Sequence, residues 1–199
     1  MEEPTQRIFN LKNEFYVLRH GQSEANVQGL IVSAPDLGVP KFGLTDDGQR
    51  QVKAVLESER NQFAKISLVY ASDFRRARET AELVGAACNV PVSLASQLRE
   101  RDFGQWEGRN DSHYKTVWRA DAEDGLHKMW NVESVVEVAE RMSGFVEKLD
   151  QSHRDERILL VSHGDPLQIL IAAAGRLDLR QHRELKPLQT AELRRLESA

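Results

Sequence analysis

Short, nearly unbroken apolar runs alternate along the chain with longer segments in which apolar residues recur every third or fourth position. The short runs are Phe15-Tyr16-Val17-Leu18, Ile66 to Ala71 and Ile158-Leu159-Leu160-Val161. Because successive rather than alternate positions are apolar, each reads as a strand covered on both faces. Behind Thr45, a suitable N-cap, Val52, Val55, Leu56 and Phe63 recur at helical spacing; behind Asp73, Ala77, Ala81, Val84 and Cys88 mark one face of another helix. Ser134 and Glu137 form a capping box ahead of the stripe Val135, Val138, Ala139, Met142, Val146 and Leu149. Asp165-Pro166 reads as the N-cap and first residue of a further helix, which runs through Leu167, Leu170 and Ile171 to a stop at Gly175.

Buried strands alternating with amphipathic helices predict an α/β domain whose largely parallel sheet is covered on both faces. Such sheets bind ligands at the carboxyl ends of their strands. Ala25 to Gly43 and Gly108 to Asn131 carry Pro, Gly and charge without a clear apolar period. They read as loops or short helices lying over that edge and shaping the pocket. Glu2 to Asn13 is polar and contains Pro4, which divides the chain into an arm over 1–13 and a domain over 14–199. No repeat or low-complexity tract is evident.

Composition narrows the class. A chain of 199 residues suits one domain with a sizeable core. The 27 Lys plus Arg stand against 31 Asp plus Glu, a net charge of −4 with no basic block, so nucleic acid is not an expected partner. Ile158 to Val161 and Leu170 to Ala174 are the longest apolar runs, far short of the roughly 18 residues of a membrane span, so no membrane partner is expected either. No basic-then-apolar leader follows Met1, and Cys88 is the single cysteine. A reducing, cytoplasmic setting is the expectation. The sequence sets no oligomeric state.

The chemistry sits where the strands end. The first runs into Arg19-His20-Gly21, the second into Ser72-Asp73 with Arg76 just inside the next helix, and the third into Ser162-His163-Gly164. If the three strands are parallel, two histidines and two arginines meet on one edge. Arginine offers a rigid cationic fork for phosphate oxygens, and the helix starts near Asp73 and Asp165 add backbone N–H groups and a positive dipole end. The natural ligand is a dianion. A histidine among arginines is held neutral, and a neutral imidazole can attack phosphorus to give a phosphohistidine that water discharges. Taken singly, a His-Gly after a strand is an ordinary turn and an Arg on a first helical turn an ordinary solvated charge; repetition at three strand ends is what points to a site. His113, His127, His153 and His182 lack that context and read as surface or core residues. Metal-ligand spacing such as H-E-x-x-H or C-x-x-C is absent, as are a P-loop, a G-x-G-x-x-G turn and a G-x-S-x-G elbow. The expected chemistry needs no metal and no cofactor.

These residues resemble a known family. VLRHGQSEAN at Val17 to Asn26 is similar to the signature of the histidine phosphatase superfamily, to which the cofactor-dependent phosphoglycerate mutases belong. YASDFRRARETAEL at Tyr70 to Leu83 resembles its second arginine segment and LRERDFGQWEG at Leu98 to Gly108 its acid loop. VESVVEVAERM at Val132 to Met142 resembles its late helix and LLVSHGDPLQIL at Leu159 to Leu170 its second histidine segment. The resemblance implies a three-layer α/β/α sandwich with an antiparallel edge strand, for which Gln189 to Leu196 is the candidate. It implies His20 as nucleophile, Arg19, Arg76 and His163 as the rest of the phosphate pocket, and Glu100 as proton donor, with Asp102 and Glu107 as rival acids nearby. Asn26, Arg101 and Gly164 are the further implied substrate contacts.

The family includes mutases, which pass a phosphoryl group between hydroxyls, and phosphatases, which admit water. Mutases resemble one another in a tandem arginine pair and a proline-rich segment after the acid loop; this chain has Trp118-Arg119-Ala120-Asp121 and no proline between Pro91 and Pro166. A second phosphate held without that arginine loses a charge-assisted bond of roughly 1.5–3 kcal/mol. The expected activity is therefore hydrolysis of a small phosphomonoester. Mutase-type transfer is the alternative, supported by Arg101 directly after the acid glutamate, and a non-catalytic phospho-ligand binder is the remaining class.

Overall fold

The computed structural model describes residues 11–197. Of the expected N-terminal arm, residues 1–10 lie outside the described residues. In chain order the elements are β1 (Glu14–Arg19), α1 (Glu24–Gln28), α2 (Pro35–Gly38), α3 (Asp46–Ser58), α4 (Arg60–Phe63), β2 (Leu68–Ala71), α5 (Arg75–Cys88) and β3 (Val92–Leu94). There follow α6 (Tyr114–Glu123), α7 (Val135–Ser152), β4 (Arg157–Ser162), α8 (Gly164–Ala174) and β5 (Leu193–Arg195).

The five strands form one sheet in the order β3-β2-β4-β1-β5. The first four are parallel; β5 runs antiparallel to β1, pairing Leu193 with Leu18 and Arg195 with Tyr16. The expected edge strand thus lies within the 189–196 candidate. β3 escaped the hydrophobic pattern because it is three residues long and leaves Ser93 and Leu94 exposed at the opposite edge.

The unbroken apolar runs are explained by where alternate side chains go. Phe15 and Val17 of β1 and Ile158 and Leu160 of β4 pack with the inner faces of α7 and α8. Tyr16, Leu18, Leu159 and Val161 pack with α3 and α5 on the other face. This is the expected α/β/α sandwich. Leu160 is fully buried at the sheet centre, where truncation to Ala would cost about 2–5 kcal/mol.

Caps set the helix starts. Thr45 Oγ1 accepts from Gly48 N at 3.0 Å, and Ser134 and Glu137 make the reciprocal bonds of the capping box at 3.2 and 3.0 Å. The start of α8 differs from expectation. Its N-cap is His163, with extended backbone, so Asp165 and Pro166 occupy the second and third helical positions. Proline is tolerated there because first-turn N–H groups have no intrahelical acceptor. Asp165 is drawn to other partners described below.

The stretch over 25–43 holds most of α1 and all of α2, and that over 108–131 holds the ten-residue α6. The period of α6 is obscured because its buried positions are Val117, Ala120 and the charged Asp121. Val117 joins Ile31, Phe103 and Val132 in a small cluster apart from the two sheet cores. Among the described residues no helix is long and apolar enough to cross a membrane.

Candidate active site

Arg19 and Ser162 are register partners on adjacent parallel strands, so His20 and His163 emerge side by side. Their rings stand edge to face with centroids 5.1 Å apart. Ser72 follows β2 on the other side of β4, its N–H bonded to Val161 O at 2.9 Å. Close packing fixes the His20 turn: a Cβ on Gly21 would lie 2.6 Å from Gly48 O, so glycine lets the turn rest on the start of α3. Gly21 N also donates to Thr80 Oγ1, which in turn donates to Arg76 O, tying the turn to α5.

His20 is almost fully buried. Its Nδ1 lies 2.7 Å from Gly21 O. A carbonyl can only accept, so the proton of the neutral ring sits on Nδ1 and the lone pair on Nε2. Arg76 Nε donates to that Nε2 at 3.1 Å, and Arg76 NH2 to Val32 O at 2.9 Å. Burial, and then the charges of Arg76 and Arg19, hold the His20 pKa well below the usual histidine value. His163 is fully buried, and burial followed by Arg76 lowers its pKa in the same way. Ser72 Oγ accepts from Phe74 N and pairs with His163 Nε2 at 2.9 Å. With the hydroxyl proton given to Nε2, the ring proton lies on Nδ1.

Several donors are left without partners. Arg19 donates through NH1 to Leu188 O at 2.7 Å, but its Nε, Arg76 NH1 and His163 Nδ1 are buried and make no hydrogen bond. Arg19, His20, Arg76 and Glu100 together line a cleft of about 250 Å³ at the carboxyl edge of the sheet. Two unengaged guanidinium N–H edges beside a neutral imidazole lone pair are suited to an anion that also presents an electrophile. Gly164 lines the same cleft beneath Arg19, where a Cβ would stand 3.3 Å from Arg19 Nε.

Glu100 is buried, with Oε1 accepting from Arg101 N at 3.0 Å and Oε2 lying 3.8 Å from Arg76 NH2 and 3.9 Å from His163 Nδ1. Burial, only partly offset by Arg76, raises its pKa to about 7. A carboxyl poised there can give or take a proton near neutrality. The rival acids stand elsewhere: Asp102 accepts from Gly104 N, Glu107 from Ser33, and neither lines the cleft.

Asn26 lines the cleft from α1, with Oδ1 accepting from Ser23 N and Ser23 Oγ at 3.0 Å each. Arg101 is not brought to the site. It is fully buried, bonded through both terminal nitrogens to Asp121 at 2.7 Å, through Nε to Glu133 O at 2.7 Å, and 3.4 Å from Asp165. Successive residues of an extended loop point to opposite sides, so Glu100 facing the cleft turns Arg101 away.

The 108–131 stretch, expected to shape the pocket, does so through α6, which forms the facing wall and whose lining residues the sequence pattern does not single out. Tyr114 and Trp118, one turn apart on α6, stack at 8° with centroids 5.4 Å apart, and the Arg183 guanidinium covers Trp118 at 3.7 Å. Asp165 fastens this wall, accepting from Trp118 Nε1 at 3.0 Å and from Arg183 NH1 at 3.4 Å; Arg183 also bonds Gln168. Burial works against the Asp165 charge, but His182, Arg101 and Arg183 outweigh it and hold its pKa below the usual carboxylate range. The spacing of Tyr114 and Trp118 was a usable helical signal; Arg183 had none in its local sequence.

The model of the histidine phosphatase superfamily (branch 1) matches residues 15–199. A probable phosphoglycerate mutase, GpmB, of Proteus mirabilis is 33% identical over 178 residues, covering 87% of this chain and 80% of the relative. An adenosylcobalamin/alpha-ribazole phosphatase of Salmonella typhimurium is 32% identical over 167 residues, 79% of this chain and 77% of the relative. Among solved structures, a mycobacterial glucosyl-3-phosphoglycerate phosphatase in complex with VO3 superimposes with a TM-score of 0.78 at 27% identity, covering 92% of this chain and 91% of its own.

Proposed function

The chain belongs to the histidine phosphatase superfamily, and from that premise we propose that it hydrolyses a small phosphomonoester through a phosphohistidine on His20, without a metal ion or cofactor. The observation that carries the reading is the pair of unengaged guanidinium edges, Arg19 Nε and Arg76 NH1, beside the Nε2 lone pair of a neutral His20. Phosphoryl oxygens would engage those edges and His163 Nδ1–H, each charge-assisted bond contributing roughly 1.5–3 kcal/mol. The oxygens also offer Arg76 better acceptors than the imidazole, which frees the lone pair.

His20 Nε2 attacks phosphorus, and the bond to the ester oxygen breaks as Glu100 gives that oxygen its proton. The alcohol leaves. Glu100, now a carboxylate, takes a proton from water as the water oxygen attacks phosphorus and the phosphorus–nitrogen bond breaks. Inorganic phosphate departs, and Glu100 is protonated again. Asn26 contributes its amide N–H groups from the opposite lip, and Gly164 lets the chain pass close under Arg19. The same proposal treats 14–199 as one catalytic domain working in the cytoplasm on a small phosphorylated substrate.

The relative named as a probable mutase supports a second reading, phosphoryl transfer between hydroxyls. Within this chain that reading rested on Arg101, whose guanidinium is fully engaged away from the cleft. Hydrolysis is favoured. A panel of phosphorylated metabolites, including 3-phosphoglycerate with bisphosphoglycerate, tests both. Release of inorganic phosphate without formation of 2-phosphoglycerate is expected; release from no monoester, or isomerisation faster than hydrolysis, overturns the proposal.

A further inference from the structure

We propose that Glu107 is a positioning residue for Arg76, acting through the backbone of residues 31–33. Arg76 is buried, and its planar guanidinium is oriented by two bonds, Nε to His20 and NH2 to Val32 O. The Val32 carbonyl therefore decides where the unengaged NH1 points. Yet Val32 lies in a segment with no helix or strand to hold it. The neighbouring loop does so instead. Ile31 N donates to Arg109 O at 2.9 Å and Gly108 N to Ile31 O at 2.8 Å, which fixes one side of Val32.

On the other side everything converges on Glu107. Its Oε2 accepts from both Ser33 N at 2.7 Å and Ser33 Oγ at 2.6 Å, and Ser33 Oγ accepts in turn from Phe103 N at 3.0 Å. One carboxylate oxygen thus knots the acid loop to the residue after Val32. The other oxygen, Oε1, is buried without a partner. Burying a half-satisfied carboxylate is costly, so the arrangement is explained by what the bonded oxygen holds in place. Burial lowers the Arg76 pKa, and the Glu107 charge is among those that partly offset it. A solvated surface glutamate would do neither.

The inference rests on the reading of Arg76 as a phosphate ligand, and a double-mutant cycle separates the two. Glu107→Ala should lower kcat/KM for p-nitrophenyl phosphate, and the affinity for vanadate, by roughly tenfold, a scale typical of coupled neighbours. In an Arg76→Lys background the same change should cost less than about twofold, because the group being positioned is gone. Ser33→Ala, which removes both hydroxyl bonds of the knot and leaves Ser33 N on Glu107, should follow the same non-additive pattern, and Glu107→Gln, which retains an acceptor, should recover most of the loss. Equal losses in both backgrounds would overturn the proposal. If the wild type released phosphate from no monoester, the function would fail, and the cycle would still be read in vanadate affinity.

Discussion

Arg76 Nε lies 3.1 Å from Nε2 of His20, with both side chains buried. A permanent cation against an imidazole lone pair makes a second positive charge on the ring expensive. Gly21 O, on the other ring nitrogen, selects the tautomer. The His20 ring is therefore neutral and carries its proton on Nδ1 before substrate arrives, and the arginine that, after burial, does most to keep it so is the one proposed to share the phosphate.

That arrangement fixes a pH dependence. Burial, and then Arg76 and Arg19, hold His20 well below the usual histidine value, so its ring is neutral near pH 7; Glu100, raised to about 7, is the acid that titrates there. Only its protonated form can donate. For an alkyl phosphate, kcat/KM should fall as the pH rises through about 7, whereas the acid side should follow the substrate's own second ionisation near about 6. An alkaline limb that stays flat to pH 9 would remove Glu100 from the role.

Glu100→Gln keeps the shape and removes the proton. Its effect on kcat/KM, which reports the first step, should depend on the leaving group: roughly 10²–10⁴-fold for a sugar or glycerol phosphate, and far less for p-nitrophenyl phosphate, whose phenolate needs little help. Equal losses for both substrates would mean that Glu100 positions the phosphate or the loop.

Behind the acid loop, Arg101 and Asp121 form a fully buried pair with His127 on the same carboxylate. Asp121→Ala leaves Arg101 with the Glu133 carbonyl and one carboxylate, Asp165 at 3.4 Å, and should cost roughly 3–5 kcal/mol, lowering Tm by about 10 °C. Thermal unfolding followed by circular dichroism checks it; a shift within 2 °C would show the pair to be dispensable.

How much of this was legible in the sequence follows from how local each signal is. Three strands and the Ser134 cap are written in contiguous residues, and the convergence of Arg19, His20, Arg76 and His163 follows from parallel strands alone. Glu100 is reached through family resemblance, because nothing in Leu98 to Gly108 says which of its three acids is buried. Arg101 sits behind the cleft and not in it because adjacency in sequence does not give direction in space. Arg183, Trp118 and Gln168 come together from separate elements, a tertiary fact with no local trace.

Chelation should leave the rate unchanged, since Arg19 and Arg76 supply the positive charge that a metal would otherwise provide. Vanadate, which mimics five-coordinate phosphorus, should inhibit competitively, and Arg76→Ala should weaken that inhibition more than it changes Tm. Activity lost to EDTA and restored by zinc or magnesium would contradict the site as described.

The account turns on one covalent bond. Mixing enzyme with excess substrate, quenching within milliseconds in alkaline denaturant that preserves phosphohistidine, and mapping the peptide by mass spectrometry should find a single phosphoryl group on His20. The His20→Ala protein should carry none and turn over no substrate. A phosphoryl group on another residue, or steady turnover by the His20→Ala protein, would contradict it.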